Sequence, residues 1–164
     1  MPVQSAAQVA EVGRLAEEIW LEHYPPIIGL AQTRHMLEHL QSPTAIAGHI
    51  ARGARYFLLQ HAERHVGYAA IEAHEESSTL FISKLYVLRD ARGLGLGQRA
   101  LEPLAALARA EGLGRLELTV NKNNALALRC YARFGMTIEG TRVVDIGGGH
   151  VMDDYVLVMQ LAAA

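Results

Sequence analysis

The segment from residue 87 to residue 101 reads VLRDARGLGLGQRAL and decides the fold. Three glycines, Gly93, Gly95 and Gly97, lie at alternate positions between an apolar run typical of a strand and a segment with helical spacing. Glycine lets the backbone approach a ligand, and free N–H groups at the start of a helix bind phosphate. A turn that only connects two elements needs fewer glycines. The segment therefore predicts a phosphate-binding loop.

Strand and helix patterns around this loop predict a mixed α/β fold. Aromatic and β-branched residues upstream predict three antiparallel strands, at 56–60, 66–73 and 80–88. Downstream we expect a helix up to Gly112, a strand at 115–120, a helix at 125–134 closed by Gly135, and a hairpin of strands 137–145 and 152–161. A parallel pair needs a helical crossover, so strands 80–88 and 115–120 are the expected parallel neighbours.

The first third of the chain predicts helices. Residues 5–22 have helical spacing, and Ser5 with Gln8 fits a capping box. The prolines at 25 and 26 are expected to break the chain, and shorter helices are expected at 33–41 and 44–54.

Composition excludes several classes of protein. The chain has 164 residues, 51% of them hydrophobic, and a formal charge of −2, which fits one domain with its own core. Its 15 basic residues are scattered, which argues against nucleic-acid or anionic-membrane partners. One cysteine, the charged first twenty residues and the lack of an apolar run of about eighteen residues predict a cytoplasmic protein without a membrane span.

Two motifs resemble the GNAT N-acetyltransferase superfamily. Arg92, Gly95 and Gly97 fill the fixed positions of its acetyl-CoA loop, [Q/R]-x-x-G-x-[G/A]. Downstream, Asn124-x-x-Ala127-x-x-x-Tyr131-x-x-x-Gly135 is similar to its second motif, although Met136 stands where members usually have Phe. The order of elements over residues 55–161 also resembles that fold, and the segment IWLEHY at 19–24 looks like the branch of bacterial polyamine N-acetyltransferases.

The resemblance implies one acetyltransferase domain over residues 1–164. Residues 1–55 would form a helical cover on the acceptor side, and residues 56–161 the acetyl-CoA-binding core. The expected sheet is mixed and mostly antiparallel, with a splayed parallel pair and flanking helices.

The resemblance also implies a set of residues that bind acetyl-CoA. The pyrophosphate would lie on the amides of the loop Arg92, Gly93, Leu94, Gly95, Leu96, Gly97 and Gln98. Pantetheine would pair with the strand edge at Tyr86, Val87 and Leu88. Asn124 would bond a carbonyl, or it acts only as a helix N-cap.

Acetyl transfer to an amine needs a base for the amine and an acid for the leaving thiolate. Tyr131 is the expected acid, because the resemblance places its phenol near the sulfur; without the motif, packing against the sheet would be preferred. Glu72 and Glu117 are the candidate bases, with Glu72 preferred. Related polyamine-type sequences often carry a Glu where this chain has Phe81, so a water chain or an already neutral amine remains open. His23 with Tyr24 is a weaker candidate.

The other reactive side chains do not indicate a specific site. The pairs His35/His39 and His61/His65 lack completing ligands, so we expect no metal site. Cys130 is interpreted as core packing. Three aspartates around the last hairpin either attract a cationic amine or are simply solvated: Asp145, Asp153 and Asp154.

The sequence thus predicts transfer of acetyl from acetyl-CoA to a primary amine. The acceptor is a polyamine-like small molecule, a peptide N-terminus or a lysine, and a homodimer is plausible. Two alternatives remain: a non-catalytic acyl-CoA sensor, and a dinucleotide site at Gly95, Gly97 and Ala100. The dinucleotide match is weak because four residues separate the strand from the glycines.

Overall fold

The computed structural model describes residues 1–162 and contains a six-stranded mixed sheet with flanking helices. The strands are β1 (Arg55–His61), β2 (Arg64–His74), β3 (Thr79–Val87), β4 (Arg115–Asn121), β5 (Thr137–Gly147) and β6 (His150–Gln160). The helices are α1 (Ala6–His23), α2 (Pro25–Ile28), α3 (Leu30–Leu40), α4 (Pro43–Ala51), α5 (Leu96–Ala110) and α6 (Ala125–Phe134).

The strand order is β1-β2-β3-β4-β6-β5. Strands β3 and β4 are parallel, from the pair Thr79–Arg115 to the pair Ile82–Leu118, as predicted from the single crossover helix. Strands β4, β6 and β5 are antiparallel neighbours. The predicted fold class, a mostly antiparallel sheet with one parallel pair, is therefore confirmed.

Local signals explain where the helices begin and end. The Ser5 hydroxyl accepts from the Gln8 amide, and the Gln8 side chain accepts from the Ser5 amide, which closes the predicted capping box of α1. Helix α6 starts at Asn124, whose side chain accepts from the Ala127 amide, and ends at Gly135 with φ of 110°.

Several predicted boundaries were wrong; the helix predicted at 44–54, for example, ends at Ala51. The prolines at 25 and 26 do not simply break the chain; they start the short helix α2, because proline fits the first helical positions. Helix α3 begins at Leu30, three residues before the predicted start. The predicted strand 80–88 ends at Val87, because Leu88 leads into a 3₁₀ turn at Arg89–Ala91.

The chain divides into two compact units. One comprises Met1–Ala70 and Lys84–Leu94; the other comprises Ile71–Ser83 and the described residues from Gly95 onward. In the first unit the core includes Leu15, Ile19, Trp20, Leu58 and Tyr68. In the second it includes Leu80, Leu101, Leu116, Leu118 and Leu157. The predicted division at residues 55 and 56 stays a prediction.

Within residues 1–162, no helix is both long enough and apolar enough to cross a bilayer.

Candidate functional site

The loop after β3 is held by its own arginine. The Ala91 amide donates to the Leu88 carbonyl at 3.0 Å, which closes the 3₁₀ turn. Arg92 then returns to extended backbone, and its Nε donates to the Val87 carbonyl at 3.0 Å. The arginine side chain therefore ties the loop to the last residue of the strand. Burial lowers the pKa of the Arg92 guanidinium from its usual value, and Glu22 opposes that shift.

The glycines at 93 and 95 have conformations that other residues rarely adopt. Gly93 has φ of 84° and Gly95 has φ of 73°, and open space lies where a Cβ would stand at each position. The third predicted glycine, Gly97, lies inside the first turn of α5. Two of the three glycines thus meet a backbone requirement and leave an open surface above the loop.

The start of α5 offers amides to an anion. The helix begins with the bond from the Arg99 amide to the Gly95 carbonyl at 2.9 Å, and Gly95 at the N-cap has no side chain to cover the first turn. The amides of Leu96, Gly97 and Gln98 precede the first intrahelical donor and have no acceptor within the helix. These residues fit a phosphate group, and the predicted binding of a phosphate here stays a prediction.

Gly67 in β2 lies against the backbone of Tyr86 in β3. A Cβ at residue 67 would stand 2.2 Å from the Tyr86 carbonyl oxygen and 3.1 Å from the Val87 Cα. No side chain fits there unless the backbone of β3 shifts. The Leu88 amide also donates to the Val66 carbonyl at 2.7 Å. Gly67 therefore fixes the path of the edge that was predicted to pair with pantetheine.

Aromatic rings surround the side chain of Tyr86. Its ring centroid lies 5.3 Å from that of Trp20, 5.4 Å from Tyr68 and 6.2 Å from Tyr24. The Tyr68 hydroxyl donates to the Gln41 side-chain oxygen at 2.8 Å. Burial raises the pKa of the Tyr68 phenol, so it stays protonated and its ring remains an apolar support.

Asn124 and Tyr131 both lie on α6 or at its start, and both are buried. The Asn124 side chain caps the helix, which is one of its two predicted roles. The backbone amide of Asn124 donates to the Asn121 carbonyl at 3.0 Å. The Tyr131 carbonyl accepts from the amides of Gly135 and Met136, which closes the helix. The catalytic role of the Tyr131 phenol stays a prediction.

The two predicted bases differ in their surroundings. Glu72 has a side chain that is 42% exposed, and it lies 3.5 Å from the His74 ring. Glu117 lies 2.6 Å from Arg115 and 3.2 Å from Arg142. Burial raises the pKa of Glu117, but the two arginines outweigh burial and hold it below its ordinary value. Glu117 is therefore a weak base.

The pKa of one carboxyl group, that of Asp154, is shifted more strongly than the sequence indicated. Asp154 in β6 is only 7% exposed, and burial raises its pKa to about 6, opposed by a hydrogen bond from Thr119. The sequence signal was present: Asp154 alternates with Val156 and Val158, so all three share one face of the strand. It is neither of the two predicted bases.

Metal ligands and thiol chemistry add little to the site. Residues 1–162 contain no group of three or more His, Cys, Asp or Glu side chains that could hold a metal ion. Cys130 is half-buried, and burial raises the pKa of its thiol, which disfavours the reactive thiolate.

These features define an α/β protein with a glycine-rich loop between a strand and a helix. Comparison with known sequences identifies the family of this protein. A profile of the Acetyltransferase (GNAT) family matches residues 14–136. The chain is 31% identical over 138 residues to an uncharacterized N-acetyltransferase of Mycobacterium bovis, covering 84% of this chain and 87% of that protein. The chain therefore belongs to the GNAT family and is an acetyl-CoA-dependent acyltransferase.

Solved structures share the fold at low identity. A GCN5-related N-acetyltransferase of Rhodopseudomonas palustris superposes with a TM-score of 0.82 at 18% identity, covering 98% of this chain and 94% of that one. The PaiA N-acetyltransferase of Thermoplasma acidophilum, solved with coenzyme A, superposes with a TM-score of 0.76 at 15% identity, covering 96% and 95%. Both likenesses concern the fold alone.

Proposed function

We propose that this enzyme transfers acetyl from acetyl-CoA to the primary amine of a polyamine-like small molecule or a peptide, with Tyr131 as general acid. The observation that carries the proposal is the loop from Arg92 to Gln98. Positive φ at Gly93 and Gly95 and the uncovered first turn of α5 suit a pyrophosphate. The coenzyme A bound to the Thermoplasma protein of the same fold gives further support.

The proposed reaction is a direct attack of the amine on the thioester. The edge at Tyr86, Val87 and Leu88 would orient the pantetheine arm by backbone pairing. The phenol of Tyr131 would protonate the leaving thiolate, because tyrosine has a reference pKa of about 10 and is protonated at neutral pH. Asn124 would support this step by fixing the start of the helix that carries Tyr131.

The proposed acceptor is cationic. The protein has 17 acidic and 15 basic residues, a slight excess that suits a protonated amine better than an acidic acceptor. The cytoplasmic location and the homodimer stay predictions. Glu72, predicted from the sequence, is the proposed base.

Binding of acetyl-CoA is tested by thermal unfolding. Because a ligand that binds only the native state stabilises it, acetyl-CoA is expected to raise the melting temperature, whereas NAD is expected to leave it unchanged. No shift at high excess of acetyl-CoA would refute the proposed site. A shift with NAD alone would support a dinucleotide site instead.

Catalysis is tested with a panel of amines and detection of free thiol. The panel contains polyamines, aminoglycosides, amino acids and peptides. With the best acceptor, Tyr131→Phe is expected to lower kcat by about 10²-fold, which is the lower end of general acid catalysis. Tyr155→Phe removes a hydroxyl from β6 and serves as the matched control. A loss of less than threefold in Tyr131→Phe would refute its role as acid.

A further inference from the structure

A cavity of about 410 Å³ opens between the helices α1, α3 and α4. One wall is a stripe of α1 that includes Glu17 and Leu21, and the other is a stripe of α3 that includes Arg34 and Glu38. Volumes of about 300–1,000 Å³ are typical of sites for small molecules. The lining residues differ from those of the predicted acetyl-CoA site, so this cavity is a separate feature of the helical part of the chain.

Helices α1 and α3 run in opposite directions along the cavity. They are joined at one end by residues 24–29, whereas at the other end a Cβ on Gly13 of α1 would stand 2.9 Å from Pro43 Cγ at the start of α4. Arg34, near the beginning of α3, therefore lies toward the joined end, and Gln41, the C-cap of α3, lies at the end closed by α4. At a rise of about 1.5 Å per residue, Arg34 and Gln41 are about 10 Å apart along the helix axis.

Gln41 supplies a fixed hydrogen-bond donor at the closed end of the cavity. The residue is only 4% exposed, and its side-chain oxygen accepts from the buried Tyr68 hydroxyl at 2.8 Å, which sets the orientation of the amide. In the part of the chain that the structure describes, the side-chain nitrogen of Gln41 has no hydrogen-bond partner. A donor that is held in place at a cavity wall and has no partner of its own is pre-organised for a ligand with an acceptor group.

Three charged side chains line the cavity without a protein partner. Glu17, Arg34 and Glu38 are exposed at its walls, and among residues 1–162 they form no ion pair. Their neighbours differ: Glu18, the next residue on α1, lies 3.0 Å from Arg14 and does not line the cavity. The cavity therefore offers two negative charges and one positive charge to a ligand.

These groups follow one another in a definite order. Along α3, Glu38 lies about one helical turn beyond Arg34, and Gln41 lies nearly one turn beyond Glu38. Glu17 lies about one turn from Gly13 in the direction of the joined end, so it reaches the same level as Glu38 on the opposite wall. The order is a cation, a pair of carboxylates and a neutral donor. A complementary ligand carries an anion, a cation and a neutral acceptor in that order.

We propose that this cavity binds a free α-amino acid with a carboxamide side chain, represented by L-glutamine. The ligand carboxylate pairs with the Arg34 guanidinium, whose planar donors match a carboxylate. The ligand ammonium group lies between Glu17 and Glu38, and the oxygen of its side-chain amide accepts from the side-chain nitrogen of Gln41. The inference goes beyond the proposed acetyl transfer, because binding in this cavity requires neither acetyl-CoA nor turnover.

Other charged ligands suit the cavity less well. A diamine fits the two glutamates, but one of its ends would bring a positive charge or an N–H donor against Arg34 or Gln41. An acidic amino acid would add a second carboxylate beside Glu17 and Glu38. Like charges at short distance disfavour both ligands.

Contact with Gln41 is tested by nuclear magnetic resonance on the full chain labelled with ¹⁵N. Its side-chain amide signal is assigned with Gln41→Glu, which keeps an oxygen that accepts from Tyr68. L-Glutamine is expected to shift this signal in a saturable way. The side-chain amide of Gln60, which is exposed on β1, is the internal control and should not shift. An unchanged Gln41 signal at the highest soluble concentration of L-glutamine would overturn the proposal.

Three analogues of L-glutamine test the three contacts one at a time. 4-Aminobutanamide lacks the carboxylate, glutaramic acid lacks the ammonium group, and norvaline lacks the carboxamide. Each is expected to bind at least tenfold more weakly than L-glutamine in calorimetry, because each leaves one cavity group without its partner. If any of the three binds as tightly as L-glutamine, the assigned class of ligand is wrong.

Two adjacent glutamates of α1 provide matched variants. Glu17→Gln is expected to weaken L-glutamine binding at least tenfold, because it removes one of the two charges beside the ammonium group. Glu18→Gln should bind as the wild type does, since Glu18 is paired with Arg14 outside the cavity. Wild-type affinity in Glu17→Gln would refute the site. That result, with an unchanged Gln41 signal, is also what binding of L-glutamine elsewhere on the protein would give.

Discussion

The buried carboxyl of Asp154 predicts that removing its charge stabilises the protein. Asp154→Asn keeps the shape of the side chain and an oxygen that can accept from Thr119. In the folded wild type the pKa is about 6, compared with 3.8 for an ordinary aspartate. The difference of about 2.2 units corresponds to about 3 kcal/mol at 1.36 kcal/mol per unit. The buried charge of Asp154 therefore costs stability at neutral pH.

The sign of the pH dependence follows from proton binding. Between pH 4 and pH 6 the folded state holds more protons at Asp154 than the unfolded state, so this residue makes stability fall as pH rises. About 2 kcal/mol of the loss develops between pH 4 and pH 8. Asp154→Asn has no titrating carboxyl at this position. The amount by which its unfolding free energy exceeds that of the wild type should therefore grow by about 2 kcal/mol from pH 4 to pH 8.

Urea unfolding at several pH values measures this difference. The slope of unfolding free energy against urea must be equal in both proteins for the comparison to hold. Glu76→Gln removes an exposed carboxylate from the turn before β3, away from Asp154 in the chain, and is the control. An advantage of Asp154→Asn that is constant from pH 4 to pH 8, or absent at pH 8, would refute the reasoning.

Two other predictions concern the strand edge and the loop, and Gly48→Ala in α4 is a control for the first. Gly67→Ala is expected to destabilise the protein by about 1–3 kcal/mol and to weaken acetyl-CoA binding in calorimetry, because its Cβ would meet the Tyr86 carbonyl at 2.2 Å. Gly48→Ala, whose Cβ meets only the flexible Arg52 side chain at 3.3 Å, should leave binding unchanged. Arg92→Met removes the hydrogen bond to the Val87 carbonyl and should weaken acetyl-CoA binding at least tenfold. A smaller loss of affinity would show that the loop does not depend on this hydrogen bond.

The fold was largely predictable because its signals are local. The capping pair at Ser5 and Gln8, the N-cap Asn124 and the terminal Gly135 each act within a few residues of the element that they bound. The parallel pair followed from chain connectivity. The helix at Pro25–Ile28 was missed because proline was interpreted as an end, although it also fits a helix start.

The positions of the loop glycines were visible for the same reason, since Gly93 and Gly95 lie only a few residues after β3 in the chain. The contact between Gly67 and β3, which fixes the path of the strand before the loop, could not be predicted. Gly67 is distant in sequence from Tyr86, and only the register of two strands reveals that they touch.

The raised pKa of Asp154 could not be predicted from the sequence, although its strand face could, because the pKa also depends on how the neighbouring charges are paired. The cations near Asp154 form their close ion pairs with other acids, Arg142 with Glu117 and Lys122 with Asp153, and they only partly offset the effect of burial on the pKa of Asp154. That allocation is set by the registers of β4, β5 and β6 together. Alternation along β6 puts the aspartates at 153 and 154 on different faces, but only the structure shows that Asp153 is exposed and paired with Lys122 and that Asp154 is buried.

The bond from Arg92 Nε to the Val87 carbonyl has a consequence for the kinetics of ligand association. It closes a ring of six residues, 87–92, before any ligand arrives, so this part of the loop has little conformational freedom left to lose. Association should then be a single bimolecular step, with an observed rate that rises linearly with acetyl-CoA concentration and does not level off. In Arg92→Met the observed rate should instead level off at high acetyl-CoA concentration. Its limiting value is then the rate at which residues 87–92 adopt the conformation that binds the ligand.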